Sequence, residues 1–234
     1  PLRANIQGIR VSHPERHPVL TEAEAEAVRQ RLATNPADPV APTEAWDSTV
    51  GSGNTLPALR QSSNDISVGA NVSWVDPIGL SDDGGGSLLT PTKRPTVTWI
   101  ERVKYTATRA FGRSANGWKV TATDLVVEDT NGNIASTAHG KTINDGAYHT
   151  LAVTIDEVAD TAEVYIDGAT SPDATVDLST VGTLKSSDVE LLAEGGTIKQ
   201  PAYYTRTLTG QQIAYLHERL VDNPESAFPT YALP

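Results

Sequence analysis

The sequence contains no cysteine and no methionine. Without cysteine there can be neither a disulfide framework nor a thiolate metal site. That lack does not locate the protein, since many exported and virion proteins share it. No apolar run approaches the roughly 20 residues of a membrane-crossing helix. The opening Pro1-Leu2-Arg3-Ala4-Asn5 carries no apolar signal region. Cations are also scarce, with 18 Lys and Arg against 29 Asp and Glu and a formal charge of −11. Binding a phosphate backbone or an anionic bilayer rests on clustered Lys and Arg, so neither a nucleic acid nor membrane insertion is expected. Acidity of this kind favours solubility.

What is present is length enough, at 234 residues, to bury a core without staples. Residues 1–64 read as an N-terminal arm. Within it, Thr21 to Ala33 has the capping pair Thr21 and Glu24 and an apolar stripe of Ala25, Val28 and Leu32, which predicts a short amphipathic helix over about 21–33. From Pro36 to Gln61 follow Pro36, Pro39, Pro42 and Pro57, with Gly51-Ser52-Gly53-Asn54 between them. Such a stretch should lie extended on a surface, with Trp46 as its candidate anchor. A second capping pair, Thr209 and Gln212, opens a helix over about 209–221 that should bury Ile213, Leu216 and Leu220. The two helical segments align without a gap: Leu20 with Leu208, Thr21 with Thr209, Leu32 with Leu220. Each ends at Asn-Pro, Asn35-Pro36 and Asn223-Pro224. A duplicated terminal element that docks on a like surface is one account; chance similarity of two capped helices is the other.

Between the helices, short strand-like runs alternate with turns. Val97, Trp99, Val103 and Tyr105 fall on one face of a strand, and Glu101 on that same face predicts a bulge or bend there. Leu125 to Glu128 and Ile134 to Ser136 flank Asn131-Gly132, a hairpin signal. Leu151, Val153 and Ile155 alternate, as do Ala162, Val164 and Ile166, before the turn Asp167-Gly168. Many short strands at regular spacing predict an all-β protein, an antiparallel β-sandwich over residues 65–222, followed by a tail, 223–234.

Three stretches stand out in order: Asp145 to Thr154, with Gly146, Tyr148 and His149 ahead of the alternating run; Val164-Tyr165-Ile166-Asp167-Gly168; and Ala202 to Thr209 leading into the last helix. Together they resemble the laminin G-like, concanavalin A-like jelly-roll family. Thr96 to Ile100 and Gly117-Trp118 are similar to its earlier strands. The resemblance implies two curved antiparallel sheets and a closing helix. It implies no particular function, because such sandwiches serve as lectins, adhesion modules, glycanases and structural parts.

Little catalytic chemistry is written in the chain. The glycan-cleaving relatives of this fold carry Glu-x-Asp-x-Glu on one strand face, and no such run occurs. Nor is there a Gly-x-Ser-x-Gly elbow, a phosphate loop or His-Glu-x-x-His. His13 and His17 are separated by Pro14 and fit exposed surface better than a metal site, and His149 should bond within the sandwich. Calcium candidates are Asp82 and Asp83 beside a Gly run, and Glu128-Asp129 beside Asn131. For the latter a plain hairpin turn is the favoured reading. Aromatic candidates for a sugar platform are Trp74, Trp118, Tyr203 and Tyr204, each with core packing as its competitor.

The expected function is a non-catalytic virion surface or tail-associated protein. Residues 1–64 would engage other virion subunits and the sandwich would face host-surface glycan. Export would then follow phage assembly and lysis, not a signal peptide. The alternatives are a decoration protein that cements neighbouring subunits, a bacterial extracellular carbohydrate-binding or adhesion domain, and an unusual glycanase.

Overall fold

The computed structural model describes residues 42, 44–45, 55–56, 66–67, 72–74, 80–82, 97–105, 113–114, 117–184, 189–190 and 196–222. The chain divides into two compact units, Pro1–Pro39 and Val40–Pro234, and every described residue belongs to the second. The expected helix at 21–33, the His13 and His17 pair, Trp46 and Asp83 therefore lie outside the described residues.

The strands are β1 (Glu44–Ala45), β2 (Thr55–Leu56), β3 (Ile66–Ser67), β4 (Val72–Trp74), β5 (Leu80–Asp82), β6 (Val97–Lys104), β7 (Arg113–Ser114), β8 (Trp118–Val120), β9 (Asp124–Glu128) and β10 (Ile134–Ala138). They continue with β11 (Tyr148–Asp156), β12 (Thr161–Ile166), β13 (Ala174–Asp177), β14 (Val189–Glu190) and β15 (Gly196–Tyr204), and one helix, α1 (Gly210–Asp222), follows. All named strand pairings are antiparallel. The large sheet runs β13-β12-β11-β6-β15-β5-β4, with β1 added to β15; a small sheet runs β10-β9-β8; and β14-β7 and β2-β3 form two-stranded pairs. Because β1 pairs Glu44 with Tyr203 and Ala45 with Ala202, the Pro-rich segment joins the main sheet well before residue 65, and the compact unit begins at Val40.

Alternation explains the layering. Val97, Trp99 and Val103 of β6, Leu151, Val153 and Ile155 of β11, and Ala162, Val164 and Ile166 of β12 meet Trp118, Val120, Leu125 and Val127 of the small sheet in one buried cluster. A strand exposes its alternate residues to opposite faces, so two facing sheets each contribute one set. The other face of the large sheet offers Ile100, Ala152, Tyr165, Ala202 and Tyr204, which pack beneath Leu208, Ile213, Leu216 and Leu220 of the helical segment. The central strands are thus buried on both sides where the helix lies.

The helix begins where the capping pair places it. Gln212 N donates to Thr209 Oγ1 at 3.3 Å, and Thr209 N donates to Gln212 Oε1 at 2.9 Å, satisfying two otherwise orphaned amides. Its approach is pinned by buried Thr98 of β6, whose hydroxyl donates to Arg206 O at 2.9 Å and accepts from Leu208 N at 3.0 Å. Gly210 lies so close to the 170 peptide that a Cβ there would sit 2.0 Å from Thr170 O.

The Asn131-Gly132 turn joins β9 to β10, and Gly132 takes the left-handed φ of 84° that the turn needs. The expected bulge exists, but in the partner strand. The β6–β11 register runs unbroken through Glu101, whereas β15 slips one residue between Lys199 and Ala202. The extra residue falls opposite Glu101, at Gln200-Pro201, and Gln200 adopts a φ of 45°.

Candidate functional site

The four aromatic candidates do not share one surface. Trp118 is only 6 % exposed and belongs to the core between the sheets. Tyr204 is 1 % exposed beneath the helix. Neither presents a ring face to a ligand. Tyr203 is half-buried against the inter-sheet core, its ring 5.6 Å from that of Trp99. Tyr203 and Tyr204 therefore sit on opposite faces of β15 and cannot form a joint platform. Trp74 lies in β4 opposite Leu80.

Of the calcium candidates, Asp82 lies in β5 opposite Val72 and Gly196. Asp129 is committed to the hairpin. Its carboxylate accepts from Asn133 Nδ2 at 2.8 Å, Asn133 N at 2.9 Å, Asn131 N at 2.8 Å and Gly182 N at 2.8 Å. The Asn133 side chain most of all, with these amides, holds its pKa down to about 2 against the opposing effect of desolvation. A carboxylate filled by four N–H donors has no lone pair aimed at a cation, so the residues there do not fit calcium. Among the described residues no three His, Asp or Glu side chains are grouped to hold a metal ion.

His149 is held between two carboxylates, with Nδ1 2.7 Å from Asp167 Oδ2 and Nε2 3.1 Å from Asp145 Oδ1. Burial opposes its cation, but the hydrogen bonds and charges of Asp167 and Asp145 outweigh it and raise its pKa. Asp167 also accepts from Thr150 N at 2.9 Å, so this trio stitches the end of β11 to the turn after β12.

Among the described residues Glu101 is the most perturbed acid. It faces the inter-sheet core at 6 % exposure, Oε2 has no hydrogen-bond partner, and burial raises its pKa to about 8. No second charge contributes to that shift. Glycoside hydrolysis needs two carboxylates across the scissile bond, and Glu101 brings only itself.

The feature that sequence reading missed lies on the outer face of the large sheet, beside the helix. There the registers align three rows across β11, β6 and β15: Ala152–Ile100–Ala202, Thr150–Arg102–Lys199 and Tyr148–Lys104–Thr197. The helix covers the first, apolar row. The other two stay polar. Lys199 Nζ lies 4.3 Å from the Tyr148 ring centroid, Arg102 Cζ 5.7 Å and Lys104 Nζ 5.9 Å. Thr150 Oγ1, buried between the strands, receives Arg102 Nη1 at 3.5 Å and lies 2.9 Å from His217 Nδ1 of the helix. Tyr148 and Thr197 flank Lys104 in one row, and burial raises the pKa of the Tyr148 hydroxyl. Burial, then the charges of Arg102 and Lys104, lower that of Lys199. Burial likewise lowers that of His217. Lys104 is exposed; Arg102, Tyr148, Thr197 and Lys199 are half-buried.

No protein-family model matches the chain, and no curated protein matches it. Solved structures do. The ligand-binding domain of botulinum neurotoxin serotype D, in complex with N-acetylneuraminic acid, superposes with a TM-score of 0.59 at 12 % identity, over 78 % of this chain and 52 % of that one. The receptor-binding domain of botulinum neurotoxin type G gives 0.56 at 14 % identity, over 76 % and 51 %. Trypanosoma rangeli sialidase in complex with sialic acid gives 0.54 at 17 % identity, over 76 % and 33 %. The chain thus spans about half the length of the neurotoxin domains and a third of the sialidase. At such identities the likeness carries the fold, an antiparallel β-sandwich, and the fold alone.

Proposed function

We propose that this chain is a non-catalytic glycan-recognition protein of the laminin G-like kind, presented on a virion surface or otherwise outside a cell. One observation carries the reading. The helix shields the apolar row of the outer sheet face and, through His217, buried Thr150, and leaves beside them a field of one aromatic ring, one threonine and three cations on rigid central strands. Recognition sites combine apolar or aromatic surface with a few fixed polar groups in this way. The likeness to a ligand-binding domain solved with N-acetylneuraminic acid and to a sialidase solved with sialic acid supports a sugar as the ligand. The residues ahead of Val40 serve, on this reading, as the attachment segment to other subunits of a particle.

The test is a glycan array probed with the chain tetramerised on streptavidin, which lets millimolar single-site affinities register through avidity. Saturable binding to a defined glycan set is expected. No binding to any glycan, with soluble sugar tested to millimolar concentration, would refute the reading and favour a cementing role.

A further inference from the structure

The chain carries 29 acidic residues against 18 Lys and Arg, yet three of those cations converge on one tyrosine. Arg102 and Lys104 are neighbours on one face of β6, and strand pairing alone brings Lys199 of β15 opposite Arg102 and Thr197 opposite Lys104. Both strands are interior to the sheet, so the charges do not guard an edge. Among the described residues no carboxylate lies within ion-pair distance of any of the three. Like charges placed together repel and disfavour one another's ionised forms. The Tyr148 ring offsets part of that repulsion through cation–π contact and fixes the cations as a group. A bound anion would offset the rest.

We propose that Arg102, Lys104 and Lys199, gathered around Tyr148, form an oxyanion subsite, so that the glycan recognised is an acidic one bearing a carboxylate or a sulfate. This rests on the glycan reading above and adds the ligand's charge to it. Three cations in an acidic chain suit one anionic group, whereas a polyanionic backbone calls for an extended basic track. Arg102 can grip an oxyanion with two N–H groups, while Lys104 and Lys199 act as point charges on either side.

The experiment uses matched pairs on the same array and in solution titration: sialyllactose against lactose, oligogalacturonate against its methyl ester, and sulfated lactose against lactose. The acidic member of at least one pair should bind at least tenfold more tightly than its neutral partner, and the affinity should fall as salt is raised. The carboxylate and sulfate pairs identify which group is taken. Arg102→Gln with Lys199→Gln should weaken that binding at least tenfold. Lys104→Glu, at an exposed position where folding is not at risk, should do likewise with an unchanged melting midpoint. Equal binding of the neutral members, or full binding by the Lys104→Glu protein, overturns the subsite while leaving the glycan reading in place. Absence of binding to every member of every pair overturns both.

Discussion

Glu101 should make the protein less stable as the solution is made more alkaline, and replacing it by Gln should remove that dependence. Its carboxyl is buried in the inter-sheet core, and its pKa is raised from 4.5 to about 8. Between those two values the unfolded chain carries a carboxylate and the folded chain an uncharged acid, so folding takes up a proton. Stability is then full below the unfolded value and declines as pH rises, by about 1.4 kcal/mol per pH unit, until the folded value is passed. From pH 5 to pH 8 the loss is roughly 4 kcal/mol, a large part of the 5–15 kcal/mol typical of a whole domain. The assay is urea unfolding of the wild type and Glu101→Gln at half-unit steps from pH 4.5 to pH 8.5. Gln approximates the shape of the protonated acid, so the two proteins should be similar near pH 5 and diverge steadily above it, with the variant the more stable. His149 adds a decline of the same sign, but it is present in both proteins and cancels in the difference. Parallel curves across this range would show that Glu101 does not fold as a buried neutral acid.

Three further outcomes follow from single contacts. Gly210→Ala should cost about 3 kcal/mol, because its Cβ would sit 2.0 Å from Thr170 O and the helix must shift off its seat; a lowered urea midpoint at constant slope would register it. His149 should titrate above its ordinary value in an NMR pH series, and Asp167→Asn should bring that midpoint down; its stabilising contribution is full below pH 6.5 and is lost as pH rises through the raised value. Asp129→Asn should lower the melting midpoint at neutral pH and blunt the wild type's acid sensitivity. A carboxylate depressed to about 2 contributes fully above its unfolded value of 3.8 and loses that contribution as pH falls toward 2.

Local signals in the sequence translated well where a strand or helix announces itself over a few residues. The Asn131-Gly132 hairpin, the Thr209–Gln212 cap, the core position of Trp99 and the alternation of β11 and β12 are all local patterns, and all are found in the structure. What was not legible depends on pairing between distant strands. Strict alternation from Ile198 would turn Tyr204 toward the inter-sheet core and Tyr203 outward. The slip at Gln200-Pro201 reverses both, sending Tyr203 onto Trp99 and Tyr204 beneath the helix. Nothing in a single sequence places a bulge in β15 when the residue out of pattern, Glu101, is in β6. The cation cluster escaped for the same reason. Arg102 and Lys104 could be read as neighbours on the outward face of one strand, but Lys199 joins them only through the β6–β15 register.

The near-repeat of residues 20–36 and 208–224 takes on a sharper meaning once the seat of α1 is known. The caps and the Asn-Pro stops coincide, and so do the apolar positions, yet the side chains that fill them differ: Ile213 aligns with Ala25 and Leu216 with Val28. At the first helical position Gly210 aligns with Glu22. The α1 seat admits no Cβ at that position, because the Thr170 carbonyl occupies the space. A segment carrying Glu22 and a slimmer apolar stripe cannot lie on a sheet face shaped like the one α1 covers without displacing the 170 peptide and leaving voids beneath residues 25 and 28. The likeness between the two segments is therefore one of start and stop signals, not of packing surface. An N-terminal segment that attaches this chain to a neighbour must do so on a surface of different shape, and exchange with α1 of a second copy is the arrangement that the Gly210 contact disfavours most.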